Sequence, residues 1–172
     1  MSKEEIFEIV DENDNIIGTA LRSECHGNPA FIHRTSHVVV FDSTGNILLQ
    51  KRCADKDIQP GKWDTAVGGH LDIGENYEQG ARREMNEELG IDPNLPLEFL
   101  FNLKIRNDIE SENVRVYKTV YDGEFNFQRE EIDEVKFWSV SELLDKNNHK
   151  QFTPNLVVEI NKLAGLIEDK KK

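Results

Sequence analysis

The sequence predicts an α/β (α+β) layered domain built on a mixed β-sheet. Three observations carry that expectation. Short apolar segments with strand-like alternation recur along the chain. Helix-length amphipathic segments with recognisable caps interrupt and end them. The 172 residues, 37% hydrophobic and 31% charged, suffice for one buried core. Strand runs mixed with capped helices are the pattern of sheet-and-helix layers.

The elements follow in order. "EIFEIVDENDNIIGTALR" reads as a hairpin around a polar D-E-N-D-N turn. "SECHGNPAFIHRTS" reads as a connection with loop chemistry at Gly27-Asn28-Pro29. "HVVVFDSTGNILLQKR" reads as a stronger hairpin about D-S-T-G-N. "CADKDIQPGKW" is a loop, and "DTAVGGHL" a short strand entering glycines. Residues 76–89 form a helix, with Asn76 and Gln79 as a capping box and Gly90 at C′. "LEFLFNLKIR", "VRVYKTVYDG" and "EVKFWSV" are further strands. "SELLDK" opens a short helix capped by Ser141, and "TPNLVVEINKLAGLIEDKKK" is a terminal helix with Pro154 early and lysines late. One domain over 1–172 is expected, with an N-terminal hairpin and connection (1–32), a core (33–145) and a C-terminal helix (153–172).

The formal charge of −12 sets the chain against long nucleic acid, whose phosphates it would repel. A small anionic substrate remains compatible, because a metal ion or local cations can invert the field in a cleft. No apolar run approaches the ~20 residues of a membrane span. "MSKEEIFEIV" places acids where a secretion signal would be basic and then apolar. A cytoplasmic protein is expected. Cys25 and Cys53 lie far apart, which suggests reduced thiols rather than a zinc cluster or disulfide. A homodimer would use the N-terminal hairpin or the terminal helix.

The helix at 76–89 has an unusual distribution of charge. Taking Tyr77 as zero and stepping about 100° per residue, Ala81, Met85 and Leu89 fall at about 40°, 80° and 120°. They form the apolar stripe. Glu84 and Glu88 fall near about −20° and 20°, on its border, while Glu87 lies near about −80°. The ordinary fate of such acids is a solvated face. These instead stand at the sheet border, crowd one another, and lie toward the negative end of the helix dipole. A hard divalent cation, Mg²⁺ or Mn²⁺, would relieve all three costs. Arg83 is placed to orient a carboxylate by a bidentate contact.

Gly69, Glu75 and Arg83-Glu84-Met85-Asn86-Glu87-Glu88-Leu89-Gly90-Ile91 stand at the spacing G-x5-E-x7-R-E-U-x-E-E-x-G-U, with U apolar. This resembles a complete Nudix box. The pattern from about residue 33 to 145 is also similar to that family. The resemblance implies a Nudix-type α/β/α sandwich and hydrolysis of a pyrophosphate bond in a nucleoside diphosphate linked to another moiety. It implies Glu84, Glu87 and Glu88 as metal ligands, Glu75 and Arg83 as braces, and a small-molecule diphosphate as partner. For the base that activates water it leaves Glu84, Glu110, Glu112, Glu130 and Glu131 open. Lys51, Arg52, Gly69 and His70 are the expected substrate-binding residues, with Arg34 and Arg106 as further cations. Trp63, Phe101 and Tyr117 could stack on a base, although strand aromatics usually pack in cores.

"HRTSHVVVFDSTGNILLQKRCADKDIQPGKWDTAVGGHLDIGE" also resembles the isopentenyl diphosphate isomerase branch of the superfamily. His33 and His70 match metal-binding histidines of that branch, and His26 matches a third. Gly68 stands where the isomerases have a catalytic cysteine, and Cys53 is no substitute. "ESENVRVY" aligns poorly with their later acidic ligands, and their box is degraded where this one is intact. Hydrolase is the leading expectation; isomerase and a non-catalytic nucleotide-binding module are the alternatives.

Overall fold

The computed structural model describes residues 3–56 and 58–172, and its organising element is one long strand, Ile32–Phe41. The described elements are β1 (Ile6–Val10), β2 (Ile16–Leu21), α1 (Arg22–Cys25), β3 (Ile32–Phe41), β4 (Ile47–Arg52), β5 (Trp63–Thr65), β6 (Val67–His70), α2 (Tyr77–Leu89), β7 (Glu98–Arg106), β8 (Ser111–Val120), β9 (Ile132–Trp138), α3 (Val140–Leu144) and α4 (Pro154–Asp169). Along one edge β3 pairs in parallel with β8, from Ile32 opposite Ser111 to Phe41 opposite Val120. Along its other edge it meets β1, then β6, then the start of β4, all antiparallel. The result, among the described residues, is a nine-stranded mixed sheet that includes the N-terminal hairpin.

Period-2 alternation sends neighbouring β3 side chains to opposite faces. Val38 and Val40 pack with Tyr77, Ala81, Met85 and Leu89 of α2. Val39 packs on the other face with Trp63, Phe101, Leu156, Ile160 and Leu163, the last three from α4. The sheet is therefore covered by helices on both faces, which is the expected α/β/α layering. The wheel drawn for α2 holds: all four residues of its apolar stripe are buried. Asn76 and Gln79 exchange capping hydrogen bonds of 2.8 and 2.9 Å, and Gly90 ends the helix in the left-handed region at φ 69°.

Several expectations are corrected. β3 and β4 do not form an extended hairpin. Only Phe41 pairs with Ile47; beyond it β4 takes β9 and β5 as partners, while β3 takes β6. Both strands are buried in mid-sheet, so each needs a partner on either edge, and the two diverge to admit them. The segment read as one strand at 63–70 is split at Ala66, with β5 on β4 and β6 on β3. The connection after β2 contains the short helix α1, and β3 begins within that segment at Ile32, well before His37 where the strand was expected. The cap of α3 is Ser139, not Ser141: Ser139 Oγ accepts from the Glu142 backbone N–H, and Glu142 returns a bond to the Ser139 N–H. Trp63, Phe101 and Tyr117 belong to the core and are not available to stack on a base. No described helix is long and apolar enough to cross a membrane.

The cap assignment makes a direct prediction. Ser139→Ala should cost about 1 kcal/mol of stability, the usual worth of an N-cap hydroxyl, in urea unfolding. Ser141→Ala should fall within about 0.5 kcal/mol of the parent, as surface substitutions do; the reverse order would restore Ser141 as the cap.

Candidate active site

The split between β3 and β4 opens into a cleft of about 920 Å³, within the range of small-molecule sites. The border acids of α2 project toward it. Glu84 and Glu88 line it from positions half-covered by the sheet, and Glu87 stands at its rim with its side chain 58% exposed. Arg83 organises them. Its Nε and Nη2 donate to the two oxygens of Glu75 at 2.8 and 2.9 Å. Its Nη1 donates to Glu84 at 2.8 Å and Glu87 at 3.1 Å, and Nη2 also reaches the His70 carbonyl at 2.9 Å. Glu75 meanwhile accepts from the Asp72 backbone N–H, which ties the loop before α2 to the same guanidinium. Arg83 and Glu75 thus behave as the braces the motif implies.

Glu88 accepts from the Gly68 N–H and from Gln50 Nε2, both at 3.3 Å. Burial and then the neighbouring Glu84 push its carboxyl up to about 8. Burial also raises Glu84, against the pull of Arg83. The contacts with Arg83, and then those with the Asp72 backbone, outweigh burial at Glu75 and hold it below its ordinary value. Two half-buried, raised carboxylates next to an exposed third form an oxygen donor set with a deficit of positive charge. That fits a hard divalent ion. Gly69 explains its place in the motif: a Cβ there would overlap the Glu84 carboxylate.

A second donor cluster lies on the same cleft. His26, His33 and His70 bring ring nitrogens within 4.8 Å of one another. The Nε2 atoms of all three are buried without a hydrogen-bond partner. Three elements assemble them: the residue after α1, β3 and β6. Phe7 stacks on the rings of His33 and His70 at 5.3 and 4.2 Å between centroids, fixing their planes. Gly27, left-handed at φ 92°, donates to the Ile109 carbonyl at 2.7 Å and draws the His26 loop to the β7–β8 turn. That turn delivers Glu112, whose Oε1 lies 3.3 Å from His33 Nε2 and 3.4 Å from His70 Nε2. Burial would raise Glu112, but the two imidazoles against it hold it far below the usual carboxylate range. Burial lowers His26 and His70, keeping their lone pairs available. Three orphaned imidazole nitrogens facing a carboxylate fit a borderline transition-metal ion. Folding thus brings Glu112, within "ESENVRVY", onto the histidines.

Other expected residues separate. Arg52 lines the cleft and is tied to the Ile58 carbonyl at 3.0 Å and to Asp64 at 3.7 Å; Lys51 beside it is not among the lining residues. Glu110 and Glu131 line the cleft, Glu131 paired with Lys56, whereas Glu130 lies outside it. Arg34 pairs with Glu8, and Arg106 braces the Glu112 carbonyl and Asn113 at 2.7 and 2.8 Å, so both act in the scaffold.

Sequence reasoning missed a buried pair. His37 Nδ1 and Glu159 Oε2 lie 2.6 Å apart, and Glu159 Oε1 accepts from Thr65 Oγ1 at 2.9 Å. Burial alone would lower His37, but Glu159, with Glu112 and Asp64 behind it, outweighs burial and brings the imidazole up to about 9. His37 had looked like one more residue of an apolar strand. The only available signal was a charged residue, Glu159, on the apolar face of a helix.

The NUDIX domain family matches residues 32–156. An uncharacterized Nudix hydrolase of Yersinia pestis is 38% identical over 159 residues, covering 88% of this chain and 81% of its own. Isopentenyl-diphosphate Delta-isomerase 2 of Photorhabdus laumondii is 34% identical over 145 residues, covering 81% of this chain and 80% of its own. The solved structure of DR0079 from Deinococcus radiodurans superposes with a TM-score of 0.79 at 23% identity, over 92% of this chain and 98% of that one. The chain belongs to the Nudix family.

The His37–Glu159 pair predicts a pH dependence. A folded pKa near 9, above the unfolded value of 6.5, means that the native state holds the proton more tightly. The stability it contributes is full below pH 6.5 and is lost as pH rises through 9. Denaturant unfolding across that window should show the decline, and Glu159→Gln should flatten it. An unchanged slope in the variant would mean that the pair does not hold the proton.

Proposed function

We propose that this Nudix chain is a divalent-metal-dependent pyrophosphohydrolase acting on a nucleoside diphosphate linked to another moiety. The observation that supports this reading most is the half-buried Glu84–Glu88 pair, of which Glu84 is braced by Arg83 while Glu88 has no ion-pair partner among the described residues. Glu84, Glu87 and Glu88 would hold Mg²⁺ or Mn²⁺. When bound, the ion neutralises phosphoryl oxygens and lowers the pKa of water. The residues of the chain do the positioning. Arg83 fixes the orientation of Glu84 and Glu87, while Gln50 and the Gly68 N–H fix Glu88. Arg52 stands at the wall where a phosphate would enter. Of the candidate bases on later loops, Glu130 lies outside the cleft, Glu131 is paired with Lys56 and Glu112 faces two imidazoles; Glu110 there and Glu84 on α2 stay open as the base.

A second reading is isopentenyl diphosphate isomerase, favoured by the His26–His33–His70–Glu112 cluster. Shifting a double bond requires an acid and a base across the substrate. With Gly68 where that branch has its cysteine, one member of the pair is missing, and the hydrolase reading is preferred.

A panel of nucleoside diphosphate derivatives and isopentenyl diphosphate, assayed with Mg²⁺ or Mn²⁺, separates these readings. The parent should release phosphate or nucleotide, and Glu88→Gln should lower the rate by about 10²-fold or more, the scale of losing one electrostatic stabiliser. Full hydrolysis by the variant would refute the metal-site assignment. Conversion of the isoprenoid alone, with no phosphate released, would establish the isomerase.

A further inference from the structure

Two polar side chains on the cleft floor have no part in either donor cluster. Thr35 and His37 are neighbours on one face of β3, since residues two apart on a strand point the same way. Both line the cleft. Thr35 is 3% exposed, and its Oγ1 is buried with no hydrogen-bond partner. Glu159 holds His37 through Nδ1 at 2.6 Å, and Nε2 makes no hydrogen bond among the described residues.

Gly68 keeps that Nε2 open. It sits opposite His37 in the β3–β6 pairing. A Cβ at Gly68 would lie 3.1 Å from His37 Cδ2 and 3.2 Å from Nε2, so a side chain there would crowd the open edge of the ring. The same glycine donates its N–H to Glu88, which places the imidazole edge beside the acid cluster.

Charge decides what the imidazole does. Carboxylates face it from every side: Glu159 on α4, Asp64 on β5, Glu112 on β8 and Glu88 on α2. These keep the ring protonated and make its Nε2–H a donor. The other cleft cations are committed. Arg83 is occupied by Glu75, Glu84 and Glu87, Arg52 by Ile58 and Asp64, and Arg22 by Glu5. His37 is thus a cation with an unspent donor, next to an orphaned hydroxyl, in a cleft dominated by acids.

We propose that His37 and Thr35 form an anion subsite on the cleft floor that takes a non-bridging phosphoryl oxygen of the substrate, with Glu159 holding the imidazole in place. The substrate class rests on the hydrolase reading above. On this view Gly68 serves more than to lack a thiol, because it leaves the donor edge of His37 open to a phosphate.

The test uses the full chain, Mg²⁺ and the non-hydrolysable probe methylenediphosphonate. In ¹⁵N-labelled protein the His37 Nε2 resonance should move on saturation, while His149, held by the Leu143 carbonyl, should not. By calorimetry His37→Gln should weaken the probe about tenfold or more, the scale of one charged hydrogen bond, and Thr35→Val should weaken it by less. The resonance measurement needs no variant, so a misfolded His37→Gln leaves it intact. An unmoved His37 resonance with the probe bound, or a folded His37→Gln of parental affinity, would overturn the subsite. Binding of the probe with a shifted His37, but neither phosphate nor nucleotide released from any diphosphate of the panel, would instead sink the hydrolase reading and leave the subsite standing.

Discussion

The guanidinium of Arg83 is the joint on which the site depends. Its hydrogen bonds reach the loop before α2 through Glu75, the helix through Glu84 and Glu87, and β6 through the His70 carbonyl. Its partners raise the Arg83 pKa further, Glu75 first, so the charge is permanent. A planar fork can satisfy several acceptors with fixed angles where an ammonium could not. The constraint also runs the other way. Arg83 reaches Glu84 and Glu87 but not Glu88, so it cannot serve as the cation that Glu88 still lacks. The site is rigid but remains electrostatically incomplete, a sound arrangement for a bound ion and a phosphate.

The backbone of the sheet provides the space. A mid-sheet strand needs hydrogen-bonding partners along both edges, and β3 and β4 satisfy this separately once they part after Phe41 and Ile47. The bend at Ala66 lets one short segment serve both, as β5 and then β6. The cleft lies at that divergence, with α2 acids, the β3 floor and the His26 loop around it. The N-terminal hairpin contributes too. Phe7 orients two histidines, and Asp14 accepts from Tyr77 and Asn113, fastening the hairpin tip to α2 and β8.

Much of this was legible in the sequence, for reasons that are local. The α2 stripe, its capping box and its glycine stop depend on spacings within one helix, and so did the border position of Glu84 and Glu88. What misled was pairing. D-S-T-G-N does make the turn, with Asp42 Oδ1 accepting from the Thr44 and Asn46 N–H groups at 2.9 and 2.8 Å. A good turn does not decide how far the flanking strands stay together. Ser141 was the cap expected from the sequence, and the backbone geometry gives that place to Ser139.

The sequence by itself determined the acid cluster, its arginine and the glycine that makes room for Glu84, because a helix converts fixed spacing into a fixed face. The resemblance to the isomerases named His26, His33 and His70, but only the tertiary structure brought Glu112 against them and decided the His37 floor. His26, His33, His70 and Glu112 come from separate elements, as do His37 and Glu159, which are 122 positions apart. No local period relates such residues. They meet because a parallel β3–β8 pair and α4 packed across the opposite face of the sheet from α2 bring distant parts of the chain to one cleft, and the energy of that packing is not written in any single segment.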